Sequence, residues 1–193
     1  MEIAIIDYGA GNVQSVCFAL ERLGYSGKVT HDIDAISGAD KVIFPGVGAA
    51  QAAMTKLKHS GLNTLIPILK QPVLGICLGM QLMCAHSEEG DTDGLGIFEE
   101  KVVRFPDSVK VPQIGWNAIE NLKGPLFTGV TEASDIYMVH SYYVALGADT
   151  IAQTNYGLWY SAALGKNNFY GTQFHPEKSG GIGERILANF LSL

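Results

Sequence analysis

Three short segments, EIAIIDY (residues 2–8), DKVIFPG (40–46) and PVLGI (72–76), carry unbroken apolar runs where a strand with one wet face would alternate. Strands of this kind need cover on both faces. The segments between them supply it. VQSVCFALERLG (13–24) places Val13, Val16, Cys17, Leu20 and Leu23 on one helical face and stops at Gly24, after a GAGN turn at 9–12. Residues 49–59 and 62–70 show the same helical spacing, and residues 27–30 add a short strand. Strand and helix in alternation predict a mostly parallel sheet with right-handed crossovers and flanking helices.

The second half reads differently. From Gly94 to Phe105, and again at Ile114–Ile119, DIYMVHSYYV (135–144), Ile151–Ala152, LWYSAAL (158–164) and NFYGTQF (168–174), short strand-like pieces follow one another between Gly, Asn and Asp. This predicts an added region of mainly antiparallel strands. GIGERILANFL (181–191) reads as a closing helix with Ile186, Leu187, Phe190 and Leu191 inward. No repeat and no linker divides the chain, so a single domain over 1–193 is expected.

Charge narrows the function. The net charge is −6 with no Lys/Arg cluster, which disfavours nucleic-acid binding. No run of 18 apolar residues and no basic leader is present, so neither a membrane span nor a signal peptide is expected. Cysteines at 17, 77 and 84 form no even framework and no metal-ligand spacing, which fits a reducing, cytoplasmic setting. Only 17% of residues are charged. A face covered by a partner protein accounts for that, and so does a large core.

The chemistry centres on GICLGMQ (75–81). Cys77 stands where the PVLGI strand gives way to the helical spacing of Leu78, Leu82 and Ala85, with glycines at 75 and 79. That is the pattern of a nucleophile elbow, with the start of a helix to favour a thiolate. A buried structural cysteine is the plainer alternative.

Five histidines compete to serve it. His31 and His59 lie in polar segments, and His140 ends a strand. His86 would close the helix that Cys77 starts, more than ~10 Å from the thiol at ~1.5 Å per residue. Only His175, in QFHPEKS (173–179), has a carboxylate placed to orient it. Pro176 biases His175 towards an extended backbone, and residues 175 and 177 of an extended segment point the same way, ~6.5 Å apart. Glu177 would then reach the imidazole. By itself His-Pro-Glu is more often an exposed polar turn.

With Cys77 as nucleophile, His175 takes the thiol proton and Glu177 fixes the imidazole. The tetrahedral oxygen needs N–H donors, for which FPGVGAA (44–50) offers Val47, paired with Leu78. Gly46 and Gly48 would let that backbone turn inward. A Gly-x-Gly alone is more often only a turn. GAGN and PGVG both miss the full dinucleotide pattern.

Taken together, GICLGMQ, FPGVGA, HSYY and QFHPEKS resemble the class I (triad) glutamine amidotransferases, and the similarity spans essentially the whole chain. The resemblance implies a flavodoxin-like α/β fold and hydrolysis of L-glutamine to glutamate and ammonia, with no cofactor and no metal. It implies that Gly46, Gly48, Gln81, Glu89, Ser141 and Tyr142 contact the glutamine. DYGAGN, PQIGWN and QFHPEKS are similar to the branch whose partner is a cyclase subunit with a (β/α)8 barrel, and in that branch Asn12, Trp116, Tyr137 and Lys178 would face the partner. From residue type alone, Trp116 reads as core and Glu89 as a solvated surface carboxylate. Family members often have Thr where Ser141 stands; either hydroxyl serves. Alternatives are the anthranilate, guanylate and pyridoxal phosphate branches, a cysteine peptidase of related fold, and a non-enzymatic interaction module.

Overall fold

A computed structural model describes residues 1–9 and 11–193. Ala10, inside the GAGN turn, lies outside the described residues. The chain opens with β1 (Ile3–Ile6), α1 (Val13–Arg22), β2 (Gly27–Thr30), α2 (Ile33–Gly38) and β3 (Lys41–Gly46). Next come α3 (Ala50–Ser60), α4 (Leu62–Leu65), β4 (Val73–Cys77) and α5 (Leu78–Met83). Short strands β5 (His86–Ser87), β6 (Thr92–Asp93) and β7 (Lys101–Arg104) follow, then β8 (Gln113–Ile119), β9 (Ser134–His140) and β10 (Tyr142–Val144). β11 (Thr150–Asn155), β12 (Trp159–Lys166), β13 (Phe169–Thr172) and α6 (Gly180–Leu191) complete the order.

The main sheet runs β2-β1-β3-β4-β13-β12-β10-β7-β5-β6, with β11 paired to β12. From β2 to β13 every pairing is parallel. Beyond β13 the strands β12, β10 and β7 pair antiparallel. β8 and β9 form a separate two-stranded sheet. A parallel first half and a largely antiparallel second half are as the sequence predicts, with one correction. NFYGTQF was expected among the antiparallel strands, yet β13 is the seam: antiparallel to β12 and parallel to β4. The reversal at Asn167, whose φ is 55°, makes β13 run back along β12 and therefore alongside β4. Thr172 is thereby in register with Ile76, and the segments leaving β13 and β4 emerge side by side.

Burial on both faces explains the unbroken apolar strands. Ile3 and Ile5 pack with Val16 and Leu20 of α1 and Ile186, Leu187 and Phe190 of α6. Ala4 and Ile6 face the opposite layer, with Ala53 and Leu57 of α3 and Leu62 of α4. Among the described residues no helix is long and apolar enough to cross a membrane.

Three helix expectations need correction. α2 was not foreseen, because only Ile36 of its six residues is buried; Asp32 starts it by accepting from the Ala35 N–H at 2.7 Å. The 62–70 segment is helical only to Leu65 and then tightens into a 3₁₀ turn over Ile66–Ile68, where Pro67 has no N–H to give. The helix after Cys77 stops at Met83 instead of reaching His86. The loop 94–98 folds back over its end, and Leu95, Gly96 and Phe98 donate their N–H groups to the carbonyls of Leu82, Cys84 and Met83. His86 therefore lies in β5, parallel to β7.

The glycine after the cysteine has a steric cause. A Cβ on Gly79 would overlap the Phe44 carbonyl of β3, and neither backbone has room to yield. Gly79→Ala is expected to cost at least ~4 kcal/mol, the scale of severe core overpacking. Loss of the cooperative melting transition would show it; a transition close to that of the parent chain would mean α5 and β3 are less tightly apposed.

Candidate active site

Cys77 ends β4 with φ 54° and ψ −110°, a left-handed backbone for a residue with a side chain. Such a conformation costs roughly 1–3 kcal/mol and persists where the surroundings impose it. Here the apposition of α5 on β3 imposes it, and the Cys77 side chain is turned into a cleft. Gly46 is in register with Cys77 on β3. A Cβ on Gly46 would stand 2.7 Å from the Gly79 N and 2.8 Å from the Tyr8 hydroxyl. Gly46 is thus buried beneath the elbow and lines no part of the cleft, a correction to its expected contact with substrate. The next residues, Val47 and Gly48, do line the cleft, as does Leu78. Val47 is 42% exposed, and Gly48 has φ 93°, which only glycine adopts without strain.

β13 delivers the base. His175 Nδ1 and Glu177 Oε1 are 2.8 Å apart, and both side chains are buried. The pairing is as predicted but the backbone is not. Pro176–Lys178 forms a 3₁₀ turn that folds Glu177 back under the ring, where an extended segment was expected. Proline at the first position of a helical turn sacrifices no hydrogen bond, so Pro176 suits this better than a strand. The His175 N–H donates to the Tyr137 carbonyl at 3.0 Å. Ser179 Oγ donates to the His175 carbonyl at 2.7 Å and accepts from the Tyr137 N–H at 3.0 Å. Ser179 went unnoticed in the sequence, although a serine just before a helical run is a recognisable helix start.

The two cleft histidines differ in protonation. Burial disfavours charge on His175, but Cys77 and Glu177 beside it outweigh that and push its pKa up to about 10. This environment favours the imidazolium, the form His175 takes after accepting a thiol proton. His140 is pushed down to about 4, chiefly by burial, against a hydrogen bond to the Tyr142 carbonyl. His140 is therefore neutral near pH 7.

The cleft has a volume of about 300 Å³. It gathers Cys77, Leu78 and Gln81 from the elbow and α5, Val47 and Gly48 from just after β3, Ser141 from between β9 and β10, and Tyr142 from the start of β10. His175 and Glu89 also line it; Glu177 stands behind His175. Glu89 is not simply a solvated carboxylate. Its Oε2 accepts from the Ala50 N–H at 2.8 Å, capping α3, which has no cap of its own. Lys178, expected on a partner-facing surface, lines the cleft. Asn12 caps α1, accepting from the Ser15 N–H at 3.4 Å. Trp116, which residue type alone would bury, is 57% exposed and meets Tyr137 edge-on at 5.8 Å across β8 and β9. With Ile114, 62% exposed and paired to the cleft-lining Val139, it forms an apolar outer face on the hairpin.

A thiol on a strained elbow, a buried imidazole–carboxylate pair and a cleft open to solvent define a cysteine-dependent hydrolytic site. Residues 4–193 match the family described as glutamine amidotransferase class-I, and the chain belongs to it. A protein named imidazole glycerol phosphate synthase subunit HisH from Bacteroides fragilis strain YCH46 is 56% identical over 196 residues, covering 100% of both chains. Its namesake from Escherichia coli K12 is 46% identical, again over 100% of both. A solved structure titled glutamine amidotransferase shares the fold at TM-score 0.77 and 16% identity, covering 100% of this chain and 98% of that one.

Proposed function

We propose that this chain is the glutaminase subunit of an imidazole glycerol phosphate synthase in histidine biosynthesis, a single cytoplasmic amidotransferase domain over residues 1–193. The observation that carries the chemistry is Cys77 at the elbow sharing one cleft with the buried His175–Glu177 pair. Full-length similarity to subunits of that name supports the choice of branch.

In this reading the Cys77 sulphur gives its proton to His175 and attacks the side-chain carboxamide carbon of L-glutamine. The tetrahedral oxygen is met by the N–H groups of Val47 and Leu78. His175 returns the proton to the leaving nitrogen, which departs as ammonia and leaves a thioester. Water, deprotonated by His175, then releases glutamate and restores the thiol. Gly48, Gln81, Glu89, Ser141 and Tyr142 surround the glutamine. Glu177 keeps the second imidazole nitrogen occupied and steadies the charged ring.

Ammonia is a nucleophile only while unprotonated, so a synthase gains by passing it directly to a partner. The partner in this reading is a (β/α)8 cyclase subunit. Exposed Ile114 and Trp116 beside the cleft suit a docking face, flanked by Tyr137 and Lys178, with Asn12 a further contact. The peptide that carries the Val47 N–H follows Gly46, and rotation there would add or remove one oxyanion donor. A lost donor costs about 10²–10³ in rate in a well-studied protease. Glutamine turnover is expected to rise by at least that order when the cyclase and its nucleotide ligand are both added. Equal kcat with the cyclase absent, present, and present with its ligand would overturn the subunit reading.

A further inference from the structure

A chain of side-chain amides reaches the nucleophile, and its polarity follows from its first member. The Tyr142 carbonyl only accepts. Gln81 donates to it at 3.0 Å, so the Gln81 atom there is Nε2. The second N–H of that nitrogen meets Gln173 at 2.9 Å, so the Gln173 atom facing it is Oε1. Gln173 is left with its own Nε2 against Cys77 Sγ, at 3.7 Å. Reversing either amide would set donor against donor or acceptor against acceptor. His140 secures the origin, donating from Nδ1 to the same Tyr142 carbonyl at 2.7 Å.

The sulphur has another close contact, the Val139 carbonyl at 3.8 Å. That oxygen suits an S–H and repels a thiolate. Gln173 Nε2 does the reverse, since a donor binds an anion more strongly than a neutral thiol. Gln173 is fully buried, so water does not compete for its N–H.

We propose that Gln173, oriented by Gln81, donates a hydrogen bond that holds and stabilises the Cys77 thiolate once His175 has taken its proton. The inference rests on Cys77 being the nucleophile, as proposed above. Its test needs no glutamine. Alkylation of the purified chain by iodoacetamide is followed by mass spectrometry at Cys77 across pH, for the parent, Gln173→Leu and Gln173→Glu. His175, Tyr8 beneath the elbow, and the cleft residues His140, Glu89 and Lys178 are unchanged in all three, so differences between profiles belong to position 173.

Gln173→Leu keeps the volume without the donor; its Cys77 should react about tenfold more slowly at pH 7, with the inflection about one unit higher. Gln173→Glu keeps the shape but sets an acceptor against the sulphur, and a larger loss is expected, which keeps the test alive if the leucine variant does not fold. Gln81→Leu frees the Gln173 amide to turn, and about a threefold loss is expected at ~0.6–0.7 kcal/mol. Profiles of both position-173 variants within twofold of the parent would overturn the proposal. A parent Cys77 no more reactive than a free thiol would overturn the nucleophile reading, and this inference with it.

Discussion

Cys77→Ala is expected to abolish glutamine hydrolysis while the chain stays folded. Loss of a nucleophile that acts as one unit with its base lowers kcat by roughly 10⁶ in the protease where it has been dissected. No other thiol can substitute. Cys84 is fully buried, and burial, with the charges of Glu100 and Asp149, pushes its thiol well above the ordinary range. Cys17 is also pushed upward, first by burial and then by Glu21. Neither lines the cleft. A glutamine-like electrophile should therefore label Cys77 alone in the parent chain. Alanine keeps a side chain at the strained position, so the melting temperature should barely move. Label recovered on Cys84, or ammonia release surviving in Cys77→Ala, would refute the assignment.

His175→Ala should be nearly as damaging, and Glu177→Gln less so. The imidazole moves the proton, whereas the carboxylate acts through the imidazole; in the same protease the acidic member alone costs about 3 × 10⁴ against 2 × 10⁶. A kcat/KM lower for Glu177→Gln than for His175→Ala would reverse these roles. The pair also leaves a mark on stability. His175 has a folded pKa of about 10 against an ordinary value near 6.5. Its contribution is complete below about pH 6.5 and is lost as pH rises through about 10. The melting temperature of the parent should fall across that interval more steeply than that of His175→Ala. Glu177 Oε2 is buried with no hydrogen-bond partner among the described residues, so the carboxylate depends on the imidazolium for compensation. Removing its charge should draw the lower-stability limb towards neutral pH.

The elbow was legible because it breaks a rule of periodicity: an unbroken apolar run turns into helical spacing at a cysteine flanked by glycines. The identity of the base was legible for a different reason: His175 follows a strand and has Glu177 two residues on, whereas His86, with Glu88 at the same spacing, is set aside by its expected distance from Cys77. The backbone between His175 and Glu177 was not, since Pro176 favours extension of the residue before it and also opens helical turns. α2 gave too weak a signal, with a single buried residue. The early end of α5 was hidden because its cause lies in loop 94–98, ten or more residues further along. Gln173 was invisible for a similar reason. A buried glutamine acquires meaning only from the polarity of Gln81 and Tyr142, which sequence order does not bring together. Trp116 shows the reverse case, where residue type pointed inward and the resemblance pointed outward, and the side chain is exposed.

The β8–β9 hairpin carries two kinds of constraint that evolution can treat separately. Its outward side chains, Ile114 and Trp116, alternate with the buried Gln113 and Ile119 ends of the same strand. Substitutions on the outer face can accumulate without touching the core. Length is another matter. The Tyr137 peptide groups bond both His175 and Ser179, and a one-residue insertion in β9 would invert every side chain beyond it and pull the base out of register. Drift in composition on this hairpin is thus permitted, whereas drift in length is not, and lineages of such chains should diverge at the first while holding the second fixed.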